Sequence, residues 1–516
     1  MRKEFLKGVD ISFLPQYEDK GCVIKDVDGT RIEPFELLGK YRVNAVRLRI
    51  WHTPSNKKES GGYCSLEHTI AMAKRIHEQG MKFMLDFHYS DWWADPAQQN
   101  KPAAWENMCF AELEEAVFDY TRDTLLALEE QGVLPEIVQI GNEIRSGLLF
   151  PEGQLPDYEG MVRLINAGIR GAREVADKSR MQLMIHLDQG GRFFFLKEWF
   201  DKAFEHGLEE FELIGLSFYP FWHGTYQDLK ETMERLVSVY KKPIMIVETA
   251  HPWRTCENGF VDKKQVEIAG FEADVQGQKR VLDLMMQLVA NVPDGMGQGV
   301  FYWEPLCPAQ HEHGGWDTNM GILDENGRAM ESIQSFLFER EHCSSEVLAK
   351  LLSMRQVKDN QDAIHLLSGK ANLLRNADWE DGLLHWNMTE NTENVMAQIY
   401  PEFVDPFPAP PVNAIRVEAN KQFVYRLEQE VEIPPGNYRL QAQIKGVDTT
   451  NVNVRLFALD GDKEYFEVIH PTEHMWEPYT MENVKCNTGR LKVGICIDAP
   501  PMYLLVKKFA LVNEGE

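Results

Sequence analysis

Val138-Gln139-Ile140-Gly141-Asn142-Glu143-Ile144-Arg145 decides the reading of this chain. A short, mostly apolar run suits a strand buried on both faces, and it breaks off into Asn142-Glu143. Packing does not require a carboxylate there. In α/β barrels the end of a strand is where the wall of the sheet meets solvent and where chemistry is placed. Pro243-Ile244-Met245-Ile246-Val247-Glu248-Thr249 repeats the pattern, an apolar strand closing on one glutamate. Two carboxylates delivered by different strands to one face are what acetal hydrolysis needs, one to give a proton and one to attack or to activate water.

Working outward, strand-like and helix-like segments alternate up to about residue 340. Eight apolar strand candidates are read at 7–14, 44–51, 81–89, 136–143, 181–188, 212–220, 243–250 and 298–305. Between them, Leu66, Ile70, Ala73, Ile76 and His77 recur at helical spacing before Gly80, and Leu229, Met233, Leu236, Val237 and Tyr240 before Pro243. Eight strands with crossover helices predict a (β/α)8 barrel over 1–342. An open doubly wound sheet needs a glycine-rich phosphate turn after an early strand, and none is present.

The strand ends carry Asp10, Arg47 and Arg49 with Trp51, Asp86 and His88 with Asp91, Asn142 and Glu143, His186 and Asp188, Tyr219, Glu248, and Trp303 with Glu304. Turn chemistry selects Gly, Pro, Asn and Ser, so this polar and aromatic set points to a site for a polyhydroxylated ligand. In that site Glu143 and Glu248 are the expected pair of catalytic carboxylates. Asn142 is expected to bond a sugar hydroxyl, and Arg47 or Arg49, with Tyr219, to steady Glu248. Trp303 is the expected sugar platform. His88, Asp86 and Asp91 are expected to orient the acid or bind hydroxyls. Trp92 and Trp93 are expected to serve outer positions, from a set that also holds Trp51, Trp105 and Trp316. A metal hydrolase built on His88, His186 and Asp188 is a rival reading, although no HxH or HExxH spacing supports it.

Several of these stretches resemble glycoside hydrolase family 53. They are Lys7-Gly8-Val9-Asp10-Ile11-Ser12, Val46-Arg47-Leu48-Arg49-Ile50-Trp51, Asp86 through Pro96, Gly141 through Leu149, Met184-Ile185-His186-Leu187-Asp188, Ser217-Phe218-Tyr219-Pro220, Val247-Glu248-Thr249 and Tyr302-Trp303-Glu304-Pro305. The resemblance covers roughly residues 5 to 340. It implies a retaining endo-β-1,4-galactanase acting on arabinogalactan type I or derived galacto-oligosaccharides, with Glu143 as acid/base and Glu248 as nucleophile. Trp92 stands where the family often has Thr. The 251–278 loop lacks the run of oxygen ligands expected for the calcium that some bacterial members hold there. No cofactor is implied otherwise. The alternatives are another β-glycanase activity on the same kind of barrel (mannanase, xylanase or glucanase) and a carbohydrate-binding protein without catalysis.

Charged and turn-flanked helical sequence at 343–370 is read as a linker. From 371 to 516 short alternating strands at 423–432, 437–445, 452–458, 463–468, 491–497 and 503–511 predict an antiparallel β-sandwich. Its opening, Asn372 through Gly382 with Trp386, resembles galactose-binding-like jelly rolls found as carbohydrate-binding modules, which implies a glycan ligand, a structural calcium with Glu380 as a ligand, or a domain that only packs against the barrel.

Composition bounds the partners. With 54 basic against 80 acidic residues the net charge is -26, which argues against nucleic acid and anionic membranes as partners. No run approaches the ~18 apolar residues of a membrane span. The eight cysteines form no CxxC pair and suit a reducing compartment. Met1 through Gly8 has charge but no apolar run, so a cytoplasmic location is expected, or a secreted one if a leader has been removed. Oligomeric state is not read from the sequence.

Overall fold

A computed structural model of the chain describes residues 4–55, 62–224, 226–255, 261, 263–309, 316–354, 372–375, 386–390, 395–402, 412–419, 423–446, 453–471, 476–499 and 502–514. It divides into two units, Met1–Gln356 and Val357–Glu516. The division falls inside the stretch read as a linker, of which the helix Ser345–Ser353 is described.

In the first unit eight parallel strands close in sequence order: β1 (Leu6–Asp10), β2 (Ala45–Ile50), β3 (Lys82–Phe87), β4 (Ile137–Ile140), β5 (Gln182–Leu187), β6 (Leu213–Ser217), β7 (Ile244–Thr249) and β8 (Gly297–Trp303). β1 pairs with β2 on one side and β8 on the other, so the sheet has no edge. Inside, Leu6, Met84, Met184, Met245, Val247 and Phe301 pack together as a filled core. Filling is tight: a Cβ on Gly8 would lie 2.1 Å from the Phe301 ring, so β1 passes that ring only as glycine.

Each strand is shorter at its C-terminal end than the sequence suggests. The residues beyond leave the ladder, and Tyr89, Glu143, Gln189 and Glu304 do so in the left-handed region, with φ of 50, 48, 64 and 47°. That conformation costs a non-glycine residue about 1–3 kcal/mol and concentrates where function over-determines the backbone. Gly141, at φ +83°, starts the turn that delivers Glu143.

Helices cover the barrel as the periodicity requires. In Tyr226–Tyr240 the buried stripe is Leu229, Met233, Leu236 and Val237. In Leu66–Glu78 it is Thr69, Met72, Ala73 and Ile76, so the expected stripe is corrected. His77 lies instead in the exposed last turn, where a basic side chain suits the helix dipole. No helix among the described residues is long and apolar enough to cross a membrane.

The second unit holds β9 (Asn387–Glu390), β10 (Val395–Glu402), β11 (Val412–Ala419), β12 (Phe423–Glu432), β13 (Gly436–Gly446), β14 (Asn453–Asp460), β15 (Lys463–Ile469), β16 (Glu477–Cys486), β17 (Arg490–Ala499) and β18 (Met502–Asn513). They form two five-stranded antiparallel sheets, ordered β9-β12-β17-β14-β15 and β10-β11-β18-β13-β16. Both sheets contribute to one core that includes Trp386, Tyr425, Leu427, Leu440, Ile444, Ile495 and Val506. β9, β10, β11 and β16 go unread in the sequence. Three of the four are sheet edges, where a strand is paired on one side only and its inward face needs fewer apolar residues to mark it. Asn372 ties the unit's opening to β18, accepting from Leu511 N at 3.0 Å and donating to Phe509 O at 2.9 Å. Glu380 lies outside the described residues.

Candidate active site

The C-terminal ends of the barrel strands surround a cleft of about 580 Å³. Glu143 and Glu248 both line it, with Asn142, His88, Asp188, Tyr219, Trp93, Trp303 and Trp316. Asp95, Arg145, Gln189, Trp222 and His223 complete the polar and aromatic wall.

Beneath the cleft, β2 alternates Arg47 and Arg49 into the barrel mouth, both about 1% exposed. Arg47 Nη1 lies 2.9 Å from Glu248 Oε1 and 2.9 Å from Asp10 Oδ2. Its Nη2 donates to Asp86 Oδ2 at 2.8 Å and to Asn142 Oδ1 at 2.9 Å, and its Nε to Gln139 Oε1 at 3.2 Å. One guanidinium thus sets Glu248 and Asn142 together. The choice left open between the two arginines resolves here, because Arg49 turns the other way. It pairs with Glu304 at 2.9 Å and lies over the Phe13 and Trp93 rings at 4.0 and 4.4 Å. Tyr219 donates to Glu248 Oε2 at 3.1 Å.

Burial pushes Glu248 up to about 7, with Arg47 and the Tyr219 hydroxyl opposing it. Burial pushes Glu143 well above the usual carboxylate range, and the negative charges of Glu248 and Asp188 add to that push. Among the described residues no guanidinium pairs with Glu143: the nearby Arg145 is 3.0 Å from Asp188 instead. The two glutamates therefore differ in the way an acid and a nucleophile must.

His88 Nδ1 accepts from Ala94 N at 3.0 Å and from Trp51 Nε1 at 3.3 Å, so its Nε2 carries the proton facing Asp86 Oδ2 at 3.1 Å. His186 Nδ1 faces Gln139 Nε2 at 2.9 Å and the Glu143 amide at 3.4 Å, and its Nε2 faces Ser217 Oγ at 2.9 Å. Both rings have their nitrogens committed to protein partners, which corrects the metal-hydrolase reading. No cluster of three or more His, Cys, Asp or Glu able to hold a metal occurs among the described residues. Burial, then Arg47, holds His186 well below the usual imidazole range, so it is neutral.

Several expected sugar contacts are corrected by position. Arg47, Arg49, Asp86 and His186 are buried under the cleft, since their charges and dipoles are used to hold one another and the glutamates. Asp91 accepts from Thr53 N and Ala103 N, both at 2.9 Å, and so staples the connections that follow β2 and β3, outside the cleft lining. Trp92 packs tilted against Trp51 with ring centroids 5.2 Å apart, also outside that lining, and Trp51 and Trp105 are buried packing residues. Trp93, Trp303 and Trp316 do line the cleft, with Trp303 packed edge-on to Trp316 at 4.4 Å. Gln139 and Ser217 were not singled out from sequence. A glutamine inside an otherwise apolar strand, and a serine two residues before Tyr219 on the same face, were the available signals.

Residues 6–336 match the model of Glycosyl hydrolase family 53. An uncharacterized protein in the bgaB 5' region of Niallia circulans is 40% identical over 347 residues, 64% of this chain and 92% of that protein. The arabinogalactan endo-beta-1,4-galactanase of Cellvibrio japonicus is 34% identical over 351 residues, 65% of this chain and 90% of its own length. The Ignisphaera aggregans GH53 catalytic domain superposes with a TM-score of 0.61 at 32% identity, covering 65% of this chain and 97% of that one. With a barrel closed as its strand pattern requires and two unlike glutamates at its mouth, the chain belongs to glycosyl hydrolase family 53.

Proposed function

We propose that this chain hydrolyses β-1,4-galactosidic bonds, in galactan or its oligosaccharides, by a retaining double displacement. The observation that carries the reading is the unequal environment of two glutamates in one cleft: Glu248 against Arg47 and Tyr219, Glu143 among carboxylates. The galactan assignment follows the named activity of the Cellvibrio japonicus relative.

In the first step Glu248, its charge held by Arg47, attacks the anomeric carbon while Glu143 gives its proton to the departing glycosidic oxygen. Asn142 has its Oδ1 on Arg47 and one amide hydrogen on Ala94 O at 2.8 Å, which leaves the second amide hydrogen for a sugar hydroxyl. Trp303, held by Trp316 and Trp93, offers a ring face to the apolar side of the sugar. Forming the ester removes the Glu248 charge that keeps Glu143 protonated, so Glu143 ionises more easily and takes a proton from the incoming water in the second step.

Glu248→Ala should lower turnover of galacto-oligosaccharides by ~10⁴-fold or more. Glu143→Ala should cripple the same substrates yet still form the glycosyl-enzyme from an aryl glycoside whose leaving group needs no proton. NMR of the first products should show the β anomer. Hydrolysis of mannan or xylan in preference to galactan, or an initial α product, overturns the reading.

A further inference from the structure

Gln139 is fully buried in β4, where its neighbours Ile137, Val138 and Ile140 are apolar. A buried amide costs stability unless its hydrogen bonds are made, and these are made to groups that hold the two glutamates. Arg47 Nε, which can only donate, lies 3.2 Å from one end of the amide, so that end is the oxygen. The nitrogen end donates to Asp86 Oδ1 and, at 2.9 Å, to His186 Nδ1. The backbone N–H of Glu143 faces the same ring nitrogen at 3.4 Å. With two N–H groups aimed at it, Nδ1 is the acceptor; Asn142 Oδ1, 3.2 Å from it, already takes Arg47 Nη2.

We propose that Gln139 is a positioning residue for both catalytic glutamates, tied to Glu248 through Arg47 and to the Glu143 backbone through His186. The proposal rests on the roles given to the two glutamates above. Of the five N–H groups of Arg47, those on Nη1 face Glu248 and Asp10 and those on Nη2 face Asp86 and Asn142. The fifth, on Nε, goes to Gln139, which fixes the plane of the guanidinium and so the nitrogen 2.9 Å from Glu248 Oε1. At its other end the amide keeps His186 Nδ1 without a hydrogen, as the Glu143 N–H requires, and Glu143 holds a left-handed backbone at φ 48°. Only a neutral amide offers an acceptor to Arg47 and a donor to His186 at once. A carboxylate here would set an acceptor against Nδ1, and an apolar side chain would leave Arg47 Nε unpaired.

The test is kinetics of the full chain carrying Gln139→Met, which keeps the volume and removes both bonds. On 2,4-dinitrophenyl β-1,4-galactobioside, whose departure needs no proton, kcat/KM reads the Glu248 arm alone. It should fall about 10-fold there, and about 100-fold on galactotetraose, which needs Glu143 as well. The acidic limb on the dinitrophenyl substrate should also move to higher pH, since a loosened Arg47 holds the Glu248 charge less well. The groups facing Glu248 are Arg47 from β2, Asp10 from β1, Asp86 from β3, Glu143 beyond β4 and Tyr219 beyond β6. A second variant, Gln139→Glu, is read without turnover. With an acceptor against Nδ1, His186 should take a second proton at neutral pH, seen by NMR of ring nitrogens in histidine-labelled protein; Arg47, Asp86, His88 and His223 face that ring. This spectrum decides the matter if the methionine variant does not fold. Equal falls on the two substrates with the limb unmoved, as a merely structural role would give, overturn the proposal. So do unchanged kinetics, or His186 signals in Gln139→Glu that match the parent. Glu143→Ala separates the two levels. If it lowers the dinitrophenyl substrate's kcat/KM as much as galactotetraose's, the acid/base assignment fails; if it spares the first, equal falls in Gln139→Met overturn the glutamine's role alone.

Discussion

Glu248 occupies a site where two large effects oppose each other and burial prevails. Burial disfavours its charge, and a guanidinium at 2.9 Å with a phenol at 3.1 Å favours it. Activity requires the ionised form, so kcat/KM should rise with pH through about 7, and it should fall again where Glu143, raised by burial and by the Glu248 and Asp188 charges, loses its proton. Tyr219→Phe removes one donor from the carboxylate and keeps the ring. Glu248 then becomes harder to ionise, and the acidic limb should move up by ~1 pH unit. A pH profile of kcat/KM checks this, and a limb that stays in place would show the phenol contributes nothing to the nucleophile's charge. Asp86 shows the opposite balance. Its burial opposes charge, but Arg47 and His88 outweigh it and hold it below the usual range, so it stays anionic to anchor Arg47.

At the scale of elements, the catalytic rim depends on loops that are themselves pinned from below. Gln278, fully buried in the helix Val275–Ala290, is the clearest case. Its Nε2 donates to His251 O and Gly321 O, both at 2.9 Å, and lies 3.0 Å from the Tyr302 hydroxyl, while its Oε1 accepts from Ser332. One amide therefore joins the segments that follow β7 and β8, which carry Glu248 and Trp303. Gln278→Leu orphans buried carbonyls that have no water to turn to. It should destabilise the barrel by ~2–4 kcal/mol, read from denaturant unfolding, and raise KM through a loosened Trp303. A variant as stable as the parent would show that these carbonyls find other donors.

For the whole molecule, the two units should answer pH in opposite directions. In the barrel mouth Arg47 and Arg49 face Asp10, Asp86, Glu248 and Glu304, two cations against four carboxylates. Burial pushes Glu304 up to about 8, with Arg49 opposing. A carboxyl whose folded value is raised contributes stability below its unfolded value of ~4.3, and that stability is lost as pH rises through about 8. In the sandwich, burial works against the Asp460 charge, but hydrogen bonds from the Thr488 and Asn487 side chains and backbone prevail and lower it to about 2. Its contribution is present above ~3.9 and is lost as pH falls through about 2. Calorimetry of the full chain should show Glu304→Gln flattening the alkaline loss of the barrel transition, and Asp460→Asn removing part of the acid loss of the sandwich transition. Either substitution acting on the other transition, or on neither, contradicts this division.

The barrel and its rim were legible because their signals are local. An apolar strand that ends on a carboxylate announces itself in eight residues, and the alternation of eight apolar runs with helical stretches sets the strand count. Glu143, Glu248, Asn142, Tyr219 and Trp303 were readable in this way as candidates lying at strand ends. What only the tertiary structure decided is which groups meet. Arg47 and Arg49 are two residues apart on one face of one strand, and nothing local says that the first takes Glu248 and the second Glu304. Gln139, His186 and Ser217 come from three strands and form one chain of hydrogen bonds only because the closed sheet brings β4, β5 and β6 side by side. Strand identity is written in residues close together along the chain. Charge pairing and burial depend on neighbours tens to hundreds of residues away, and closure of the barrel is what supplies them.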